Sequence, residues 1–167
     1  MELFDAITTR SSAGRLAAPG PSPLEIERLL QAAARAPDHG RLRPWRFIVL
    51  EGAARESFAT AAAAAKRALS PMTDEQVAAE RDKLLRSPTL VVAGCAVDPA
   101  NTKIPQIEQV IAVAAAVENL FLAAHALGYG VMWKTGAAAY DGGVKAVLGL
   151  QPHDHIVAIL HLGTRVK

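Results

Sequence analysis

Three short segments of this 167-residue chain carry side chains able to do chemistry. Arg10-Ser11-Ser12-Ala13-Gly14-Arg15 offers two guanidinium groups, two hydroxyls and a glycine-loosened backbone, the donor set that holds a phosphate monoester. The stretch from Arg35 to Arg46 sets four arginines (Arg35, Arg41, Arg43, Arg46) and His39 against a single acid, Asp38. Met132-Trp133-Lys134-Thr135-Gly136 leads into small residues, a surface on which a flat ring can rest. Each alone also describes a solvated loop, with Trp45 and Trp133 as core anchors. Jointly, phosphate-type and ring-type donors at the ends of packed elements predict a nucleotide site.

Other chemistries find no support in the pattern. There is no P-loop, no Gly-x-Gly-x-x-Gly after a strand and no nucleophile–His–acid set. His153 and His155 flank Asp154 in what reads more simply as a turn after Pro152 than as a metal pair, so no metal site is expected. Cys95, the lone cysteine, lies amid apolar residues and reads as an inert buried thiol; one cysteine also excludes a disulfide framework. An enzyme built this way must borrow its reactive group.

The elements that would hold these segments follow from the pattern. A helix over residues 2–9 precedes the first segment. Ser22-Pro23-Leu24-Glu25 is a capping box with proline at the first helical position, opening a helix that runs to about Arg35. Strands are expected at 45–51, 89–97, 129–134 and 155–163, and further helices at 52–69, 73–86, 105–127 and 141–148. The mixed order makes residues 1–167 one α+β or α/β domain, and the chain length suits a single core. With 51% apolar residues and a formal charge of +2, the chain is neither disordered nor a general polyanion binder, so nucleic acid and membrane surfaces are not expected partners. Two acids within Met1–Asp5 are unlike a secretory signal, and the uninterrupted apolar run Val110–Val117 is far short of a bilayer span, which points to the cytoplasm. The 105–127 helix, about 34 Å long, carries VIAVAAAV in its middle, apolar on every face. A domain this small can hardly wrap such a rod, so a second copy of the chain is expected to cover part of it, the alternative being a central helix packed on the chain's own sheet.

The same segments carry a family resemblance over nearly the whole chain. Arg10-x-Ser12, Arg35-Ala-Pro-Asp-His39, Pro44-Trp45-x-Phe47, Lys103-x-Pro105, Gly128-Tyr129-Gly130, Trp133-Lys134-Thr135-Gly136 and Leu162-Gly163-Thr164 resemble the flavin-dependent nitroreductase family, particularly its compact bacterial NAD(P)H nitroreductase branch. That resemblance implies a nitroreductase-like α+β fold, a mixed or antiparallel central sheet flanked by helices, and a long central helix at a homodimer interface holding FMN. It implies FMN contacts from Arg10, Ser11, Ser12, Arg35, Trp133, Lys134 and Thr135, with His39 supplied by the other subunit. It also assigns Ala123, Ala124, His125, Ala126, Leu127 and Gly128 to NAD(P), although a helix C-terminus is the negative end of its dipole and suits a pyrophosphate poorly. The implied activity is hydride transfer from NADH or NADPH through flavin N5 to a flat oxidised acceptor such as a nitroaromatic or quinone, with no catalytic side chain required. Lys134 and Arg43 are the cations expected to stabilise negative charge on the ring. Two departures stand out: Ser11 replaces the second arginine of the family's Arg-Arg-Ser opening, and the chain stops at Lys167, just after Leu-Gly-Thr, where Arg165 and Lys167 could still reach the phosphate. They keep alternatives open: dehalogenating or flavin-fragmenting chemistry on the same scaffold, or a flavin-free binding protein of this fold.

Overall fold

The computed structural model describes residues 1–166; Lys167, expected near a phosphate, lies outside the described residues. Helices α1 (Leu3–Thr9), α2 (Pro23–Ala33), α3 (Gly52–Leu69), α4 (Asp74–Leu85), α5 (Gln106–Ala126) and α6 (Gly142–Val147) alternate with strands β1 (Leu16–Ala17), β2 (Trp45–Leu50), β3 (Thr89–Cys95), β4 (Gly130–Lys134) and β5 (His155–Arg165). Elements expected from the sequence are present, with ends within two residues of those read from the pattern. The capping box is formed: Ser22 Oγ accepts from Glu25 N, and the Glu25 carboxylate accepts from Ser22 N at 2.9 Å. Glu25 also accepts from the Tyr129 hydroxyl at 2.9 Å, tying the start of α2 to the entrance of β4. These hydrogen bonds hold the Glu25 carboxyl below the usual carboxylate range.

The sheet is antiparallel throughout, ordered β4-β5-β3-β2, with β1 paired to the far end of β5. Strand alternation sends side chains to two cores. Val91, Ala93, Cys95, Val131, Leu160 and Leu162 face α2 and α5; Leu90, Val92 and Ile159 face α3 and α6. A bulge opposite Ala93/Gly94 shifts the phase of β5, so that Ile156 joins Ile159 on the α3 side. Phe58 of α3, fully buried against that face, contributes about 2–3 kcal/mol by leaving water. Cys95 is completely buried and burial pushes its thiol up to about 11, which keeps it inert.

The long helix is confirmed at 21 residues, and its sheet-facing stripe (Val113, Ala116, Val117, Leu120, Phe121, Ala124) is buried. This makes it a core helix despite a length and hydropathy sufficient to cross a membrane. Its other side is not covered by the same chain: Ile107 and Ile111 are 62% and 58% exposed. By contrast α4 buries none of its residues and rests chiefly on α3. Ion pairs Arg67–Asp74 (2.7 Å), Lys66–Glu80 (2.9 Å) and Arg81–Glu56 join the two helices.

Candidate functional site

On the α3 side of the sheet, two cavities of about 410 and 400 Å³ share Lys83 and Lys134 and so form one two-lobed cleft. Alternation along β4 and β5 builds its floor. Met132 lies across from His161 and Lys134 across from Ile159, and these four point to the α3 side while Trp133 and Leu160 point to α5. The first lobe is cationic, walled by Arg15, Lys83, Arg86 and Lys134 together with Ala13, Gly14 and Ser87. The second is apolar, walled by Ala62, Ala63, Leu69, Leu84, Ala137, Ala138 and Ile159. Glu80 offsets some of the charge by bridging Lys66 at 2.9 Å and Lys83 at 2.5 Å, and those two ammonium groups hold its carboxyl below the ordinary carboxylate value.

Segment 10–15 reaches the cleft because the edge of β4 captures it: Ala13 N donates to Val131 O at 2.9 Å. Gly130 makes that crossing possible, since a Cβ there would lie 2.6 Å from Leu16 Cδ2 and 2.9 Å from Ala13 Cβ. Ser11 Oγ accepts from Arg165 at 3.0 Å, and the same guanidinium donates to the Ser11 carbonyl. α4 brings Lys83 and Arg86 to the opposite wall. Its exit is clipped by Arg55 of α3, which donates to the carbonyls of Leu85 (2.7 Å), Ser87 and Pro88 (3.1 Å).

The sequence-predicted residues divide between the two faces of the sheet. Arg15, Lys134 and Thr135 line the cleft, and Ser11 is held beside it through Arg165. Arg10 instead pairs with Glu118 at 3.6 Å and stands 4.7 Å over the Phe121 ring, both on α5. Arg35 lies with Leu3, Asn119 and Ala123 in a separate hollow against α5, and His39 Nδ1 meets Glu108 of α5 at 2.6 Å. The Trp133 indole donates to Val157 O at 3.0 Å and packs in the α5-side core, so its ring does not line the cleft. His125 contacts Thr9 Oγ1 at 2.9 Å, in the last turn of α5 beside Ala124 and Ala126. Arg43 borders a third hollow with Pro44 and Asp98, away from the cleft. Lys83, Ser87 and His161 were not singled out by sequence; for His161 the available signal was a second histidine, after His155, inside the otherwise apolar strand HIVAILHLG.

A family model described as the Nitroreductase family matches residues 7–164. The chain belongs to the nitroreductase family. Among curated relatives, YdjA of Escherichia coli K12, named a "Putative NAD(P)H nitroreductase", is 35% identical over 98% of this chain and 88% of its own. A Haemophilus influenzae protein bearing the same name without the symbol is 31% identical over 100% of this chain and 90% of its own. The solved nitroreductase-like protein of Bacillus cereus superposes at a TM-score of 0.84 with 26% identity, over 100% of this chain and 87% of that one. A Bacteroides fragilis nitroreductase solved with bound FMN shares the fold at a TM-score of 0.75 and 22% identity, over 99% of this chain and 89% of that one. The nitroreductase fold thus confirms the expected α+β architecture with its antiparallel sheet flanked by helices.

Proposed function

We propose that this chain is a cytoplasmic, FMN-dependent NAD(P)H oxidoreductase that works as a homodimer. The observation that carries the reading is the two-lobed cleft, with cations at one end and small apolar walls at the other. Its donor set fits a flavin mononucleotide: the cationic lobe suits a phosphate and polar ring edge, the apolar lobe a flat aromatic system. Arg15, Lys83, Arg86, Lys134 and Thr135, which line the cleft, are the residues that would hold it, with Ser11 and Ser12 on the segment that leads to Arg15. When bound, FMN supplies hydride acceptance from NADH or NADPH and delivery to a flat acceptor such as a nitroaromatic or quinone. The chain's own groups orient, enclose and neutralise. Lys83 and Lys134 set two ammonium groups at the waist, where they stabilise negative charge arriving with electrons. The apolar side chains on the α3 and α4 walls give a bound ring a low-dielectric surface, strengthening those interactions.

A second copy of the chain is supported by the apolar side chains that α1 and α5 leave open, namely Leu3, Phe4, Ile7, Ile107 and Ile111. The dimer reading also gives a task to Arg10, Arg35 and His39, all disposed along α5 and none in the chain's own cleft. The test is direct. Purified protein should be yellow, or turn so with added FMN, and should bleach on anaerobic addition of NADH or NADPH. Sedimentation should show a dimer. Colourless protein that takes up no FMN refutes the reading.

A further inference from the structure

His161 is 2% exposed, forms part of the floor of the cationic lobe, and among the described residues its Nε2 has no hydrogen-bond partner. An unpaired buried ring nitrogen costs about 1–3 kcal/mol, so its persistence calls for a partner beyond the described residues, and a ligand of the lobe is one. The other nitrogen, Nδ1, lies 2.5 Å from Ser87 Oγ, and Ser87 is itself buried. Among the described residues the Ser87 hydroxyl has no second partner, which decides the tautomer. Were Nδ1–H the donor, the Ser87 proton would be buried without an acceptor. With Ser87 donating to Nδ1, that proton is satisfied and the ring hydrogen sits on Nε2. Nε2–H then needs an acceptor, and the charged side chains around the lobe (Arg15, Lys83, Arg86, Lys134) are donors. Burial and the nearby charges of Lys134 and Arg55 push the ring down to about 4, so it stays neutral in ordinary buffers.

We propose that His161 is a binding residue of this cleft, donating a hydrogen bond from Nε2–H to an acceptor atom of the bound mononucleotide. The proposal rests on the flavin reading given above. Met132, the cross-strand neighbour of His161, and Lys134 line the same lobe on flexible side chains, so the proposal requires that a side chain of this kind give way for a ligand to reach Nε2. Ser87, fixed by the Arg55 clip on its carbonyl, is the positioning residue that holds the ring hydrogen on Nε2.

The experiment is titration of the full chain with FMN and with riboflavin, followed by flavin fluorescence. His161→Phe fills the space without a nitrogen and should raise the Kd about tenfold, the worth of one hydrogen bond in a closed site. His161→Gln, which keeps an amide N–H, should recover part of the loss. Weakening with both ligands places the acceptor on the ring or ribityl chain; weakening with FMN alone places it on the phosphate. A folded His161→Phe that binds both ligands within twofold of the parent overturns the proposal while leaving the flavin reading intact. A parent protein that binds neither ligand overturns both. Should His161→Phe not fold, the parent's imidazole ¹⁵N–¹H spectrum decides. A proton on Nε2 that shifts on adding FMN supports the assignment, and a proton on Nδ1, or no shift, overturns it.

Discussion

The buried ring of His161 makes acid stability a sharp test of the cleft floor. In the folded chain the ring titrates at about 4 instead of its ordinary 6.5, because burial and the charges of Lys134 and Arg55 disfavour a third positive charge. That weakens proton binding by a factor of roughly three hundred, about 3 kcal/mol at 1.36 kcal/mol per pH decade. The sign follows from proton counting. Between pH 6.5 and 4 the unfolded chain takes the proton and the folded chain does not, so folding stability falls as pH falls through that window. Above 6.5 neither state is protonated there and the term vanishes. Urea denaturation at pH 7.5, 6, 5 and 4, on the parent and on His161→Phe, isolates the effect, because other titrating groups are common to both. The parent should lose about 3 kcal/mol more than the variant across the window. Parallel curves, differing by less than about 0.5 kcal/mol at pH 4, would show that the ring is accessible and the geometry wrong.

Three further outcomes follow from other contacts. Arg55→Met removes three carbonyl hydrogen bonds at the α4–β3 turn and should cost about 2–4 kcal/mol in urea denaturation, against under 0.5 kcal/mol if the clip is incidental. Gly130→Ala sets a Cβ against Leu16, Ala13 and Arg165 and should cost about 1–3 kcal/mol, read as a lowered Tm. Gly142→Ala, where a Cβ meets nothing within 4 Å, is the control and should leave Tm unchanged or raised. In hydrogen exchange followed by mass spectrometry, α4 should exchange well before β3 and β5, since none of its residues is buried; equal protection would contradict the packing.

Most of the fold was legible because its signals are local. The Ser22/Glu25 capping box, the prolines at 88 and 105, and the apolar run of β3 each mark an end or a period independent of tertiary context. Strand β1 was missed because two residues cannot show alternation; it exists only through its pairing with Thr164 and Arg165. The site was half legible. Segment 10–15 and Lys134–Thr135 were recognisable by donor chemistry at element ends. Lys83 and Arg86 look like any solvated face of a helix, and only the docking of α4 on α3 turns them toward Arg15 and Lys134. His161 needed the sheet register, since the phase of β5 decides which side of the sheet a residue faces, and the bulge at Ala93/Gly94 resets that phase midway. Arg10, Arg35 and His39, grouped in sequence with the rest, lie along α5 because their segments end helices packed on that face.

Helix α4 carries its own Thr73/Gln76 capping box, has no fully buried residue and is held chiefly to α3 by ion pairs, with Leu84 resting on the adjoining core. It can therefore be exchanged as a cassette. Replacing residues 73–85 with sequences of equal length, while keeping Leu84 and the Arg55 clip, would redraw one wall of the chamber without asking the sheet to refold. Selectivity could then evolve, or be engineered, apart from stability.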